Sequence, residues 1–173
     1  MRFLALAALS LALPAGLFAA GANEETAPPK PKCEDGQVYD KKTKTCVDAK
    51  DSRLDDDARY ETVRQLAHAG RYSDAQTVLA EMEATDDRTL TYLGFTTRKL
   101  GDVAGGMAFY ERALAANPAN TLAHSYMGQA LVEQGQISAA LQHLRAIRAA
   151  GGSGTWAEAS LRTAIATGQT FTY

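Results

Sequence analysis

The sequence is poor in the residues that build chemical sites, with two cysteines, one tryptophan and three histidines in 173 residues. The cysteines, Cys33 and Cys46, have no histidine beside them, which argues against a four-ligand zinc site. Twelve residues separate them, so they are not the Cys-x-x-Cys pair of a redox enzyme. Neither sign of charge is in excess: Lys and Arg number 18, Asp and Glu 20, for a net of −2. Nothing in that balance draws the chain to nucleic acid or to an anionic membrane. Long apolar runs are missing too. The run at residues 3–13 falls far short of the roughly 20 apolar residues that span a bilayer.

Catalytic patterns are equally scarce. There is no Gly-rich phosphate loop. Gly152-Ser153-Gly154 mimics a nucleophile elbow, but it lies between two expected helices rather than between a strand and a helix. His68, His124 and His143 lack a cysteine or paired carboxylates at ligand spacing. The aspartate-rich stretch 51–57 lacks the alternating ligands and central glycine of a calcium loop and suits a helix start instead. The expectation is a protein without catalysis, cofactor or metal.

What is present begins at the N-terminus. Arg2, the apolar run and the small residues Ala20-Gly21-Ala22 form a signal-peptide pattern, with cleavage expected after Ala22. About 150 residues remain, the size of one domain. Export, with the periplasm as the expected compartment, makes a Cys33–Cys46 disulfide the default, free thiols being the alternative in a reducing compartment. Residues 23–32 are polar and proline-punctuated, an extended tether. Within 33–50, residues 37–40 and 43–47 are β-prone around Lys41-Lys42. A small hairpin closed by the two cysteines fits, and its reduction is expected to leave the remaining fold untouched.

From residue 51 onward the period changes. Leu93-Gly94, Leu100-Gly101-Asp102, Tyr110-Glu111-Arg112-Ala113-Leu114 and Asn117-Pro118 describe two antiparallel helices with a turn after each. Met127-Gly128 and Gln134-Gly135-Gln136 repeat the first two landmarks 34 residues later, and Ala69-Gly70-Arg71 repeats the second one 31 residues earlier. Such a period signals a helical-repeat array. Leu93, Gly94, Gly101, Asp102, Tyr110, Ala113 and Pro118 stand at consensus positions of the tetratricopeptide repeat, so the chain resembles a small exported bacterial tetratricopeptide protein with an N-terminal two-cysteine segment.

The resemblance implies an all-α, right-handed superhelical array over 51–173, with repeats at about 54–86, 87–120 and 121–154 and a capping helix at 155–167. Ser73, with Gln76 at capping-box spacing, and Asp102 are expected caps of second helices. The first of these is expected to reach residue 84. Gly94 is expected to face Gly106, Gly128 to face Ala140, and Val63 to face Ala75. Residues 151–154 read as a flexible break. Thr155 and Glu158 open the last helix, and Trp156, Leu161 and Ile165 supply its covering stripe.

In that family the first helix of each repeat lines a concave groove. Carried onto this chain, the groove takes Tyr60, Arg64 and His68, then Arg88, Thr91, Phe95, Arg98 and Lys99, then Leu122, Ser125, Gln129 and Glu133. Tyr60 and Arg64 stand where a carboxylate clamp would need Lys and Asn, so no such clamp is expected. An aromatic and basic strip remains, suited to a protein or peptide with carboxylates, with a solvated helix face as the plain alternative. The expected function is a non-enzymatic scaffold of the cell envelope that binds a partner in this groove, with Phe95 as the aromatic anchor and Arg98 and Lys99 flanking it as rim charges. A self-assembling structural protein, or an accessory subunit with an empty groove, is the other reading.

Overall fold

The computed structural model describes residues 33, 34 and 36–171. The signal peptide and tether expected at 1–32 lie outside the described residues. The first element is a hairpin of β1 (Gln37–Asp40) and β2 (Thr45–Asp48), antiparallel with Val38 opposite Val47 and Tyr39 opposite Cys46. Its turn is held by Asp40, whose carboxylate accepts the Lys42 N–H and the Thr43 hydroxyl, both at 2.8 Å. Those bonds hold the Asp40 pKa below its usual value. Cys33 and Cys46 are disulfide-bonded, with Cα atoms 5.6 Å apart.

Seven helices follow: α1 (Asp56–His68), α2 (Tyr72–Leu79), α3 (Asp87–Lys99), α4 (Val103–Ala116), α5 (Thr121–Glu133), α6 (Ile137–Ala149) and α7 (Trp156–Thr167). The described residues are therefore mostly helical, as an all-α array requires. Consecutive helices pack together, and the odd-numbered ones also touch one another, α1 on α3, α3 on α5 and α5 on α7. The odd helices thus form a continuous layer. α7 packs on both α5 and α6, so it occupies the place that the first helix of a further pair would take.

One turn recurs through this array. Gly70, Gly101, Gly135 and Gly151 all have positive φ, and the residue after each donates its N–H five residues back, to Leu66, Thr97, Leu131 and Ile147. This is the Schellman closure, which satisfies helix-end carbonyls and needs a residue at ease in the left-handed region. It also explains a difference from the sequence reading. Ser73 does not cap α2; the cap position is Arg71, the same residue that closes the α1 turn. Gln136 plays both parts before α6. The side chain at that position decides it: Asp102, which closes the α3 turn in the same way, brings a short carboxylate and caps α4, whereas Arg71 and Gln136 make no side-chain cap bond. α1, α3, α4, α5 and α7 do open on side-chain caps, from Asp55, Asp86, Asp102, Asn120 and Thr155.

Three further expectations are corrected. α2 stops at Leu79 rather than near residue 84 because the chain tightens there, Met82 N–H bonding the Leu79 carbonyl at 3.1 Å and its side chain turning into the core. The expected flexible break at 151–154 is an ordered turn. Gly152 is buried against Ile147 and Thr121, the Gly154 N–H donates to Glu158 at 2.8 Å, and Arg148 Nε bonds the other oxygen of that carboxylate at 2.6 Å. Trp156, expected to cover the last pair, is 43% exposed; of the expected stripe Leu161 and Ile165 do pack on the apolar residues of α5 and α6, joined by Ala164.

The hairpin is not an independent appendage. Val38 and Ala49 share one apolar cluster with Leu54, Val63, Ala75, Val78 and the aromatic residues of α3 to α5. Arg59 of α1, 8% exposed, donates to the backbone carbonyls of Ala49, Leu54 and Asp51 at 2.9, 2.9 and 3.0 Å. A guanidinium has five donors in a fixed fork, and here the fork fastens the hairpin exit to the first helix. A second cluster, built on Leu131, Leu144, Ile147, Leu161 and Ala164, fills the space between α5, α6 and α7, and Met107 and Met127 pack against both clusters.

Candidate functional site

The odd helices present one face on which the sequence reading placed a groove. Along it runs a chain of ring contacts. Tyr60 meets Tyr92 edge-on at 5.5 Å, Tyr92 meets Tyr126 at 6.1 Å, Tyr126 meets Trp156 at 6.0 Å and Trp156 meets Phe171 at 6.3 Å. Phe95 lies within it, 4.7 Å from Tyr126. The ladder therefore crosses α1, α3, α5, α7 and the C-terminal tail. Edge-to-face packing of this kind stabilises by about 0.5–1.5 kcal/mol per pair beyond burial, so the ladder stiffens the layer it crosses.

Of the twelve residues assigned to the groove, the structure leaves seven accessible: His68 and Glu133 are exposed and Leu122 is half-buried, and the other four form the aromatic and basic strip. Tyr60, Arg88 and Lys99 are half-buried and Arg64 is exposed. The Arg88 guanidinium lies over the Tyr60 ring at 5.1 Å and pairs with Asp57 at 2.8 Å. Burial, assisted by Tyr92, pushes the Tyr60 phenol up to about 12, so it stays a neutral hydroxyl. Arg64 pairs with Glu61 at 3.4 Å. Lys99 sits 5.7 Å from the Phe95 ring, and burial, then the Arg98 charge, lower its pKa. Lys99 has no ion pair among the described residues, so its charge is the most available of the strip.

The other five are corrected. Thr91, Phe95, Arg98, Ser125 and Gln129 are all buried, because adjacent odd helices touch and close over them. The Thr91 hydroxyl bonds the Asp87 carbonyl at 2.6 Å and accepts from Asn120 at 3.1 Å, which ties α3 to the start of α5. Phe95 is enclosed by Tyr72, Tyr92 and Tyr126. Ser125 bonds Ser160 at 2.9 Å, joining α5 to α7. Arg98 is not a rim charge: its side chain is 2% exposed and bonds Glu133 at 2.7 Å. Its Nε and Nη2 have no hydrogen-bond partner among the described residues. A reversal at Arg98 would oppose two carboxylates in a buried place, so it reports on folding rather than on a partner.

Glu133, at the end of α5, joins two parts of the face. One oxygen takes the Arg98 guanidinium and the other takes the Thr170 hydroxyl. Burial raises its pKa, but those two bonds and the charges of Arg98 and Lys99 outweigh it and hold the carboxyl below its usual value. Tyr92, Tyr126 and Trp156 were missed as members of this face. The 34-residue interval between Tyr92 and Tyr126 was the signal that could have found those two, since positions one period apart lie alike on neighbouring pairs; Trp156 falls outside that interval.

His124 and His143 approach at 2.9 Å between Nδ1 atoms, His68 lies on α1, and no group of three metal-ligating side chains occurs among the described residues. No helix among the described residues is long and apolar enough to cross a membrane. A tetratricopeptide-repeat family model matches residues 98–165, from the last turn of α3 into α7. Repeats of that family generally mediate protein–protein interaction and scaffolding and are typically non-catalytic. No curated protein matches the chain.

Proposed function

We propose that this protein is an exported, non-enzymatic tetratricopeptide scaffold that binds a protein or peptide on the face of its odd-numbered helices. One observation carries the reading: the layer of α1, α3 and α5 is continuous, braced by an aromatic ladder, and leaves Tyr60, Arg64, Arg88 and Lys99 accessible along it. Aromatic area beside cations suits an acidic extended segment, since arginine and lysine can meet carboxylates while rings supply apolar contact. Export to the periplasm is supported by the N-terminal pattern and agrees with the Cys33–Cys46 bond.

A second reading has its own support. Leu100, Val103, Ile137 and Leu141 are exposed apolar residues at the turns and first coils of even helices, and Val103 and Ile137 begin α4 and α6 one 34-residue period apart. A repeated apolar edge is what a stack of copies would use.

The two are separated by crosslinking in envelope extracts with Lys99→Glu and Arg88→Glu against Arg112→Glu on α4 as the control. The partner should be lost from the first two and kept by the third, with each variant's helical content unchanged. Recovery of the same partner by all three, or dimers abolished by Ile137→Glu with no other partner found, would transfer the function to the even-helix edge.

A further inference from the structure

The end of the odd-helix face is not open. Beyond Gly168 the chain folds back on α5, and residues Thr170 and Phe171 make three contacts of different kinds. The Phe171 backbone N–H donates to Gln129 Oε1 at 3.0 Å, the Thr170 hydroxyl donates to Glu133, and the Phe171 ring meets Trp156 at 6.3 Å. One main-chain bond, one hydroxyl bond and one ring contact are the elements by which grooves hold extended peptides.

The receiving side is built in advance of the tail. Gln129 is wholly buried, and its Nε2 donates to Ser125 Oγ at 3.3 Å, which is itself bonded to Ser160 at 2.9 Å. That chain of bonds fixes the amide so that its oxygen faces the tail. Glu133 is oriented in the same way by Arg98 at 2.7 Å. The contact is partly open to solvent, with Phe171 of the tail 39% and Trp156 of α7 43% exposed. A site held by its own bonds and filled by a half-exposed segment of the same chain is one that an outside ligand can take over, since an intramolecular tether competes only at an effective concentration in the millimolar range.

We infer that Gln129, Glu133 and Trp156 form a recognition site for an extended peptide carrying a hydroxyl residue followed by an aromatic, and that Thr170 and Phe171 fill it when no partner is bound. This names the partner chemistry for the face proposed above and rests on that reading for its biological use. Its test does not need the cellular partner. The probe is an acetylated synthetic peptide of residues 167–173, and the readout is the indole N–H resonance of Trp156, the single tryptophan of the chain.

Removing residues 170–173 from the full chain should move that resonance, and added peptide should return it saturably to its original position. The intact chain should bind the peptide at least tenfold more weakly. Phe171→Ala in the intact chain should bind it as the shortened chain does, and a probe with the threonine and phenylalanine of the contact replaced by valine and alanine should bind at least tenfold more weakly. An unmoved resonance on shortening, equal affinity of intact and shortened chains, or no response of a folded shortened chain to millimolar peptide overturns the inference. A resonance that depends on protein concentration, with dimer mass, would mean that the tail is exchanged between copies and also overturns it. If the peptide binds as expected while Lys99→Glu and Arg88→Glu keep their crosslinked partner, the site stands and the wider face does not.

Discussion

At the scale of single residues, the pair of histidines between α5 and α6 makes stability depend on pH. His124 Nε2 lies 3.0 Å from the Pro118 carbonyl, which can only accept, so that nitrogen carries the proton. Its Nδ1 lies 2.9 Å from His143 Nδ1, a contact in which one of the two nitrogens must be bare to accept. Burial, and then the proximity of His124, push the His143 pKa down to about 4. A base whose folded pKa is depressed is neutral in the fold while the unfolded chain already takes a proton. Stability is therefore full above the ordinary histidine pKa of about 6.5 and falls as the pH drops from there to about 4. Partial exposure of the ring reduces the loss to about 1–2 kcal/mol. Urea midpoints at pH 7.5 and 5.0 should differ for the wild type and differ less for His143→Gln; an equal pH dependence in both would show that another group is responsible. Nothing in the sequence signalled this contact, because residues 124 and 143 meet only through the way α6 lies on α5.

At the scale of elements, the hairpin shows where sequence reasoning reached and where it stopped. The two strands, the polar turn at Lys41-Lys42 and the cysteine pair were legible, since strand propensity and the compartment argument are local. So were the seven helices, whose glycines and caps recur at one period. Burial of the groove residues was not legible, because it depends on how closely adjacent odd helices approach, and a helix face that looks polar in sequence, as Thr91, Arg98, Ser125 and Gln129 do, can still be closed over by its neighbour. Nor was the docking of the hairpin, which rests on Val38 and on the Arg59 fork. That docking changes the expected result of reduction. Cutting a disulfide that closes so short a loop removes about 3 kcal/mol in the chain-entropy view, and because Val38 and Ala49 share a core with α1 and α2 the loss is felt there. Cys33→Ser with Cys46→Ser should lower the thermal midpoint and raise hydrogen exchange in α1 and α2 as well as in the strands. Arg59→Leu should do the same with the disulfide intact, since it strands buried carbonyls. Exchange confined to 33–50 in the cysteine variant would show the hairpin to be separable after all.

At the scale of the whole molecule, two apolar clusters joined through Met107 and Met127 set how damage spreads. Gly94 lies in the first. A Cβ there would meet the Tyr110 ring at 2.6 Å and the Gly106 carbonyl at 3.0 Å, and Tyr110 is wholly enclosed, so it has nowhere to move. Gly128 lies where α5 receives α7. The nearest atoms to an added Cβ belong to the Leu161 side chain, at 2.6 Å, rather than to the Ala140 expected from the repeat pattern. Leucine at position 94 should therefore force α3 from α4 and cost about 1–3 kcal/mol or more across the fold, whereas leucine at 128 should lift α7 and spare α1 and α2. Gly101→Ala is the comparison: its φ is +105° but nothing lies within 4 Å of an added Cβ, so only backbone strain of about 1 kcal/mol follows. Arrays of this kind open by neighbouring units rather than all at once. Native-state hydrogen exchange should show faster exchange throughout for Gly94→Leu, faster exchange only in α6, α7 and the tail for Gly128→Leu, and a small uniform change for Gly101→Ala. Because Trp156 and the Gln129 contact of Phe171 both depend on α7 lying against α5, Gly128→Leu should release the tail as well. Uniform opening in Gly128→Leu would mean that the two clusters act as one core and that α7 is integral to it rather than a cap.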